Sequence, residues 1–249
     1  IAAIYPDEQT KLQLFGADRT DPYVQYGGYS RPLAGASGEL HRSEFSAQTL
    51  YAVQTPVERG SSDAVNYLGA SLKFDAVAGF ALDSLYTYDS AKSPSTEGLQ
   101  FAFGADYSLL KGDLYLLGQY FYNGDGSLDG DEEISDLYGS ERWNRLKLEQ
   151  RVPLEGFSDY YRKHYLYFSA LYAFDDFTRV TGSILCAPED GSFVPALLTE
   201  YEPFQGLTVS LTGRFPLDQY AFGGGERGEL GADHCGYSSS LLGSVKLKF

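Results

Sequence analysis

Apolar and polar residues alternate along this chain in runs about twice the length of ordinary globular strands. In residues 239–249, alternate positions read Phe249, Leu247, Val245, Gly243 and Leu241, and the interleaved set reads Lys248, Lys246, Ser244, Leu242 and Ser240. A strand turns successive side chains to opposite faces, so one face is greasy and the other polar or cationic. Elsewhere Leu68, Ala70, Leu72 and Phe74 oppose Tyr67, Gly69, Ser71 and Lys73. Likewise Phe80, Leu82, Ser84, Tyr86 and Tyr88 oppose Ala81, Asp83, Leu85 and Thr87, and Leu207, Val209, Leu211, Gly213 and Phe215 oppose Thr208, Ser210, Thr212 and Arg214. The pattern predicts strands at 63–74, 78–89, 98–109, 113–123, 160–174, 177–187, 192–203, 206–216 and 239–249. Their length matches what a tilted strand needs to cross a bilayer, about 9–11 residues.

The connections sort by length. Those at 75–77, 110–112, 175–176 and 204–205 are tight; those at 90–97, 124–159 and 217–238 are longer and polar, with 187–191 the short member of the long set. Short turns on one side and long loops on the other are the habit of outer-membrane barrels, and a soluble sandwich has no reason to adopt it. Aromatic residues follow the same division. Phe74, Phe80, Phe174, Phe177, Phe204 and Phe249 fall at the short-turn end, and Tyr86, Tyr88, Tyr120, Tyr122 and Phe215 at the long-loop end, as two membrane interfaces would select. The expected fold is therefore all-β: one antiparallel transmembrane β-barrel domain over 1–249. About twelve strands are expected, with ten, or a fragment of a larger barrel, left open. Residues 1–62 are the least legible. There 39–54 reads as one strand and 10–16 and 23–31 as two more, an arrangement that puts both chain ends on the short-turn, periplasmic side.

Composition narrows the function classes. A formal net charge of -15 argues against a nucleic-acid partner, which requires a basic footprint. No apolar run approaches the roughly 18 residues of a transmembrane helix. The 21 Tyr, 16 Phe and 28 Gly, set against one Trp and no Met, suit aromatic strands joined by turns. The chain opens at Ile1 without an export signal, so a processed terminus and an internal start in a longer protein are both open. Two cysteines fit an exported protein.

Several segments carry a resemblance. A final strand ending in an aromatic residue resembles the closing strand of bacterial outer-membrane barrels. The stretch from Tyr120 to Gly126 (YFYNGDG) and the run from Tyr160 to Val209, including RKHYLYFSALYAFDDFTRVTGSIL and EDGSFVPALLTEYEPFQGLTV, are similar to segments of porin-like outer-membrane proteins of the alginate-export and general porin type. The resemblance implies a barrel in the bacterial outer membrane, with outer-membrane lipid around it; it does not imply a substrate.

Local motifs are weaker. Asp125, Ser127, Asp129, Asp131 and Asp136 place oxygen ligands near Gly130 as calcium loops do, although Glu132 stands where an apolar residue belongs. The preferred reading is a solvated acidic loop, with calcium as the only cofactor considered. Cys186 and Cys235 fall at the same outer end, where a disulfide, a weak metal site with His234, or two free thiols are open. Arg142 to Leu146 (RWNRL) resembles a short stretch of outer-membrane phospholipases. Their serine needs a histidine held by an amide or carboxylate, and His41, His164 and His234 adjoin no such serine motif. Gly223 to Gly225 lies between strands and reads as a loop tip.

Strand parity assigns Lys73, Asp83, Asp106, Lys163, Arg179, Glu200, Glu202, Arg214, Lys246 and Lys248 to the barrel lumen. A lumen of mixed sign suits passive passage of ions or small polar solutes, and no enzymatic activity is expected. A plugged barrel that presents its outer loops to protein partners is the second reading, and a phospholipase-type enzyme the third.

Overall fold

The computed structural model describes residues 2–20, 30–54, 64–89, 96–124, 126, 128, 162–217, 230 and 239–247. Among these the fold is all-β. Thirteen antiparallel strands form one sheet in chain order: β1 (Ala2–Asp7), β2 (Thr10–Thr20), β3 (Ser30–His41), β4 (Phe45–Gln54), β5 (Val65–Asp75), β6 (Gly79–Asp89), β7 (Leu99–Leu109), β8 (Leu114–Asn123), β9 (His164–Ala173), β10 (Thr178–Ala187), β11 (Ser192–Phe204), β12 (Leu207–Arg214) and β13 (Ser240–Leu247). Among the described residues no helix is long and apolar enough to cross a membrane, which says nothing of strands.

The chain divides into two compact units, Ile1–Phe103 and Gly104–Phe249. In the first, the register of β2 to β6 puts Leu12, Leu14, Leu40, Ala47, Tyr51, Leu68, Leu72, Phe74, Phe80 and Leu82 on one face. The other face carries Lys11, Gln13, Ser37, Glu39, Gln48, Ser71, Lys73 and Asp83. In the second, Leu116, Phe168, Tyr172, Ile184, Leu197, Leu211 and Val245 share the apolar face, opposite Gln119, Ser169, Ser183, Glu200, Ser210, Thr212 and Ser244. Exposure runs opposite to that of a protein folded around an apolar core. Leu14, Phe168, Leu197 and Leu211 are 63%, 51%, 50% and 50% exposed, whereas most of the polar set is partly shielded.

The nine strands expected from residue 63 onward are present within a few residues. The first 62 residues require correction. The single strand expected at 39–54 is a hairpin: β3 turns at 42–44, where Arg42 and Phe45 exchange backbone hydrogen bonds, and returns as β4. A further strand, β1, precedes Thr10, so the count is thirteen where about twelve were expected. Strand β1 runs toward a short turn and therefore begins at the end of its unit where the longer connections lie. The expectation that both chain ends share the short-turn side fails on that added strand.

Connection lengths alternate throughout. Residues 8–9, 42–44, 76–78, 110–113, 174–177 and 205–206 are short; 21–29, 55–64, 90–98, 124–163 and 215–239 are long, with 188–191 again the short member. Short turns are built from local chemistry. Asp175 Oδ1 accepts the backbone N–H groups of Phe177 and Thr178 at 2.8 and 2.7 Å. Gly206, at φ 90°, supplies the left-handed residue that closes the β11–β12 turn.

Candidate functional site

The polar face offers the most chemistry. In the first unit the register lines up Lys11, Glu39, Gln48, Ser71 and Asp83 across five strands. Glu39 is the hub of this row. Lys11 Nζ and Gln48 Nε2 each donate to its Oε1 at 3.2 Å, and His41 Nε2 lies 3.8 Å from its Oε2. Beside it runs a second row of His41, Ser46, Lys73 and Ala81, with Lys73 paired to Asp75 at 3.3 Å. Lys11, Glu39 and His41 were not predicted for this face, although Leu12 and Leu14 already reveal the parity of β2. His41 faces Ser46 across the strands, yet among the described residues no hydrogen bond joins them, so the serine lacks the base contact that would activate it.

Of the residues assigned to the lumen from sequence, all but Lys248 lie among the described residues. Lys73 and Asp83 lie in the rows above. Asp106 shares its parity in β7 with Gly104, which packs against the polar-face Gln119 side chain. Arg179 and Glu200 are cross-strand partners, and Glu200 continues the row to Ser210 and Ser244, whose hydroxyls are 2.7 Å apart. Arg214 and Lys246 pair with Ser240 and Thr208 on the same face. Glu202 accepts the N–H of Gly206 at 3.1 Å and so serves the turn. Lys163 lies just before β9, where its carbonyl accepts from Asn123 N–H at 2.8 Å. Lys248 lies outside the described residues, as do Asp125, Ser127, Asp129, Asp131, Asp136, Cys235, His234 and the stretch 142–146. Cys186 is a free thiol near the end of β10, on the apolar face with Leu166 and Phe193. Among the described residues no group of three metal-ligating side chains converges.

At the long-connection end of the second unit, the polar face is covered by its own chain. Tyr165, Ala187, Val194 and Leu230 form a buried cluster against Phe121 and Leu185. Leu230, from the connection between β12 and β13, is fully buried, and its N–H donates to Ser192 Oγ at 3.1 Å. Ser192 in turn donates its N–H and hydroxyl to Asp190 Oδ1 at 2.9 and 2.6 Å. Asp190 Oδ2 accepts from Arg162 Nε at 2.9 Å, an ion pair whose side chains are 0% and 3% exposed. The Arg162 N–H donates to the Tyr165 hydroxyl at 2.7 Å, and the Arg162 carbonyl accepts from Asn123 Nδ2 at 3.4 Å. Gly126 passes so close to the backbone of Arg162 and Lys163 that a Cβ has no room there. Arg162, Asp190, Ser192 and Leu230 are thus tied together at this end. Sequence reading missed the assembly because Arg162 and Asp190 are local to different hairpins.

One more group lies on the apolar face of the same end. The Tyr120 hydroxyl and His164 Nδ1 share a hydrogen bond of 2.6 Å, and the rings of Tyr120 and Tyr122 lie 5.8 and 5.6 Å from the imidazole. His164 N–H donates to Glu189 Oε1 at 2.8 Å.

No protein-family model matches this chain, and no curated protein matches it either.

Proposed function

We propose that this chain forms a porin-like β-barrel, or part of a larger one, in a bacterial outer membrane and passes ions or small polar solutes along its polar face. The observation that carries the reading is the inverted exposure of the two faces. Large apolar side chains such as Leu14, Leu72, Phe168 and Leu211 stand exposed along spanning-length strands, while Lys11, Glu39 and Glu200 on the other face are partly shielded. In water that arrangement forfeits about 25 cal/mol for every Å² of apolar surface left wet; against lipid it costs nothing. Exposed Phe74, Phe80, Phe174, Phe177 and Phe204 at the short-turn end support the assignment of an interface there. Mixed-sign rows such as Lys11–Glu39–Asp83 suit weakly selective passage better than a high-affinity site.

Reconstitution into planar bilayers tests the reading: discrete, ohmic conductance steps are expected. The cluster around Leu230 and the Arg162–Asp190 pair favours a second reading, a barrel whose mouth is closed by its own loops. Absence of conductance from folded, inserted protein would select that reading over the channel.

A further inference from the structure

We propose that Arg214, together with Leu198 and Leu242 on the two neighbouring strands, forms a weak binding step for small amphipathic carboxylates on the polar face of the second unit. The proposal deepens the channel reading and rests on it for its consequence: the solutes favoured are carboxylates with a short apolar tail.

Membrane placement explains exposed leucines on the apolar face but not on the polar one. One row of the polar face runs Tyr115, Leu171, Thr181, Leu198, Thr212 and Leu242 across β8 to β13. Leu198 and Leu242 flank Thr212, one on each side. Leu198 is partly exposed and Leu242 is 66% exposed. Apolar surface left against water on this face forfeits the free energy that lipid spares on the other. The next row toward the long connections runs Ser169, Ser183, Ala196, Arg214 and Ser240. Its side chains are small except for Arg214, which is the diagonal neighbour of both leucines. Diagonal neighbours lie about 7–8 Å apart, within reach of a long side chain.

Arg214 is also a cation whose charge is not taken up locally. In the first unit Lys11 is paired to Glu39 at 3.2 Å and Lys73 to Asp75 at 3.3 Å. Arg162 is buried on Asp190. Arg214 is exposed, and among the described residues no carboxylate lies within ion-pair distance of it. Strand β13 carries no carboxylate. On β11, Glu202 serves the turn at Gly206, and Glu200 faces Arg179 on one side and Ser210 on the other. Ser210 is about 14 Å back along β12 from Arg214. A guanidinium takes a carboxylate through two parallel N–H···O bonds. With the head held there, a tail lying along β12 toward the short turn passes Thr212 between Leu198 and Leu242. The spacing of the two rows, about 7 Å, suits a short aliphatic chain. A hydrophilic anion gains the first contact alone, and an uncharged apolar solute the second alone.

Equilibrium dialysis of labelled hexanoate and acetate against the refolded protein in lipid vesicles, with protein-free vesicles subtracted, tests the site. Hexanoate is expected to bind about tenfold more tightly than acetate, its longer tail meeting the leucines on one side only. Arg214→Gln should abolish binding of both, and Arg214→Lys, which keeps the charge without the fork, should restore part of it. Leu242→Ser should bring hexanoate down to the acetate level, with circular dichroism checking that each variant keeps its strands. Equal affinity for hexanoate and acetate, undiminished hexanoate binding in folded Arg214→Gln, or phosphate competing as well as hexanoate overturns the proposal. In parallel bilayer recordings hexanoate is expected to cause brief interruptions of the current that Arg214→Gln removes. Selective binding without any conductance leaves the site standing and removes the channel; conductance without a chain-length preference does the reverse.

Discussion

A side chain's face decides what a substitution costs here, and Leu211 and Thr212 make the sharpest contrast. Leu211 is 50% exposed on the apolar face, opposite Thr199 and Gly243; Thr212 is its neighbour on the polar face, opposite Leu198 and Leu242. Under the proposed membrane placement, Leu211→Arg puts a guanidinium into lipid and is expected to destabilise by about 2–4 kcal/mol at mid-membrane depth. Thr212→Arg is expected to change stability by well under that. Urea titration of folding into vesicles measures both, and equal effects would mean the faces are misassigned. At the same scale, the charged residues divide by partner. Glu39 gathers three cationic or donor groups, whereas Asp190 is spent on one buried guanidinium and the turn beside it. Removing Asp190 leaves Arg162 buried without its carboxylate, a loss of about 3–5 kcal/mol in comparable buried pairs.

Among the elements, the β9–β10 turn is acid-sensitive through Asp175. Backbone N–H donation from Phe177, reinforced by the Thr178 hydroxyl and N–H, holds the Asp175 carboxyl below its ordinary value. A depressed carboxylate adds stability that is fully present above the unfolded-state value and is lost as pH falls through the folded one. The β9–β10 turn is therefore expected to loosen only in strong acid. Asp175→Asn, which keeps an acceptor but cannot titrate, should remove that part of the acid dependence. Monitoring hydrogen exchange at Phe177 and Thr178 between about pH 5 and pH 2 checks it, and an identical profile in the variant would reject the assignment. Elements also explain what alternation could and could not reveal. In β5, Leu72 and Phe74 stand against Ser71 and Lys73, so the period is plain. In β3, the run Leu33, Ala34, Gly35, Ala36, Ser37 and Gly38 gives both faces small side chains of similar transfer free energy, and the period fades. Strand β1 has all its residues exposed, with Ile4 and Tyr5 on opposite faces at 65% and 66%, so nothing in its pattern separates one face from the other.

For the whole molecule, the alternation of short and long connections predicts a sided protein. With Cys186 and Cys235 replaced by serine, single cysteines placed at Leu128, in the longest connection, and at Asp176, in a short turn, should differ in intact bacterial cells. A membrane-impermeant thiol reagent is expected to label the Leu128→Cys protein and to spare the Asp176→Cys protein until the cells are broken. Labelling of the short turn in intact cells would invert the orientation, and equal labelling at both would remove the membrane placement.

Local chemistry determined the parts that need only near neighbours in the chain: the period of the strands from residue 65 onward, the tight turns, the two aromatic ends and the parity of Lys73, Asp83, Arg179 and Arg214. Those follow because a strand's faces are set by counting along the backbone. The assemblies at the long-connection end were decided by the tertiary structure alone. Arg162 meets Asp190 across 28 residues, and His164 meets Glu189 across 25, because the register of β9 on β10 carries the turn at 188–191 to the start of β9. No spacing in the sequence encodes a register. It is the sum of many cross-strand contacts, and only when that sum is complete do two adjacent carboxylates find partners two residues apart on opposite sides of the sheet.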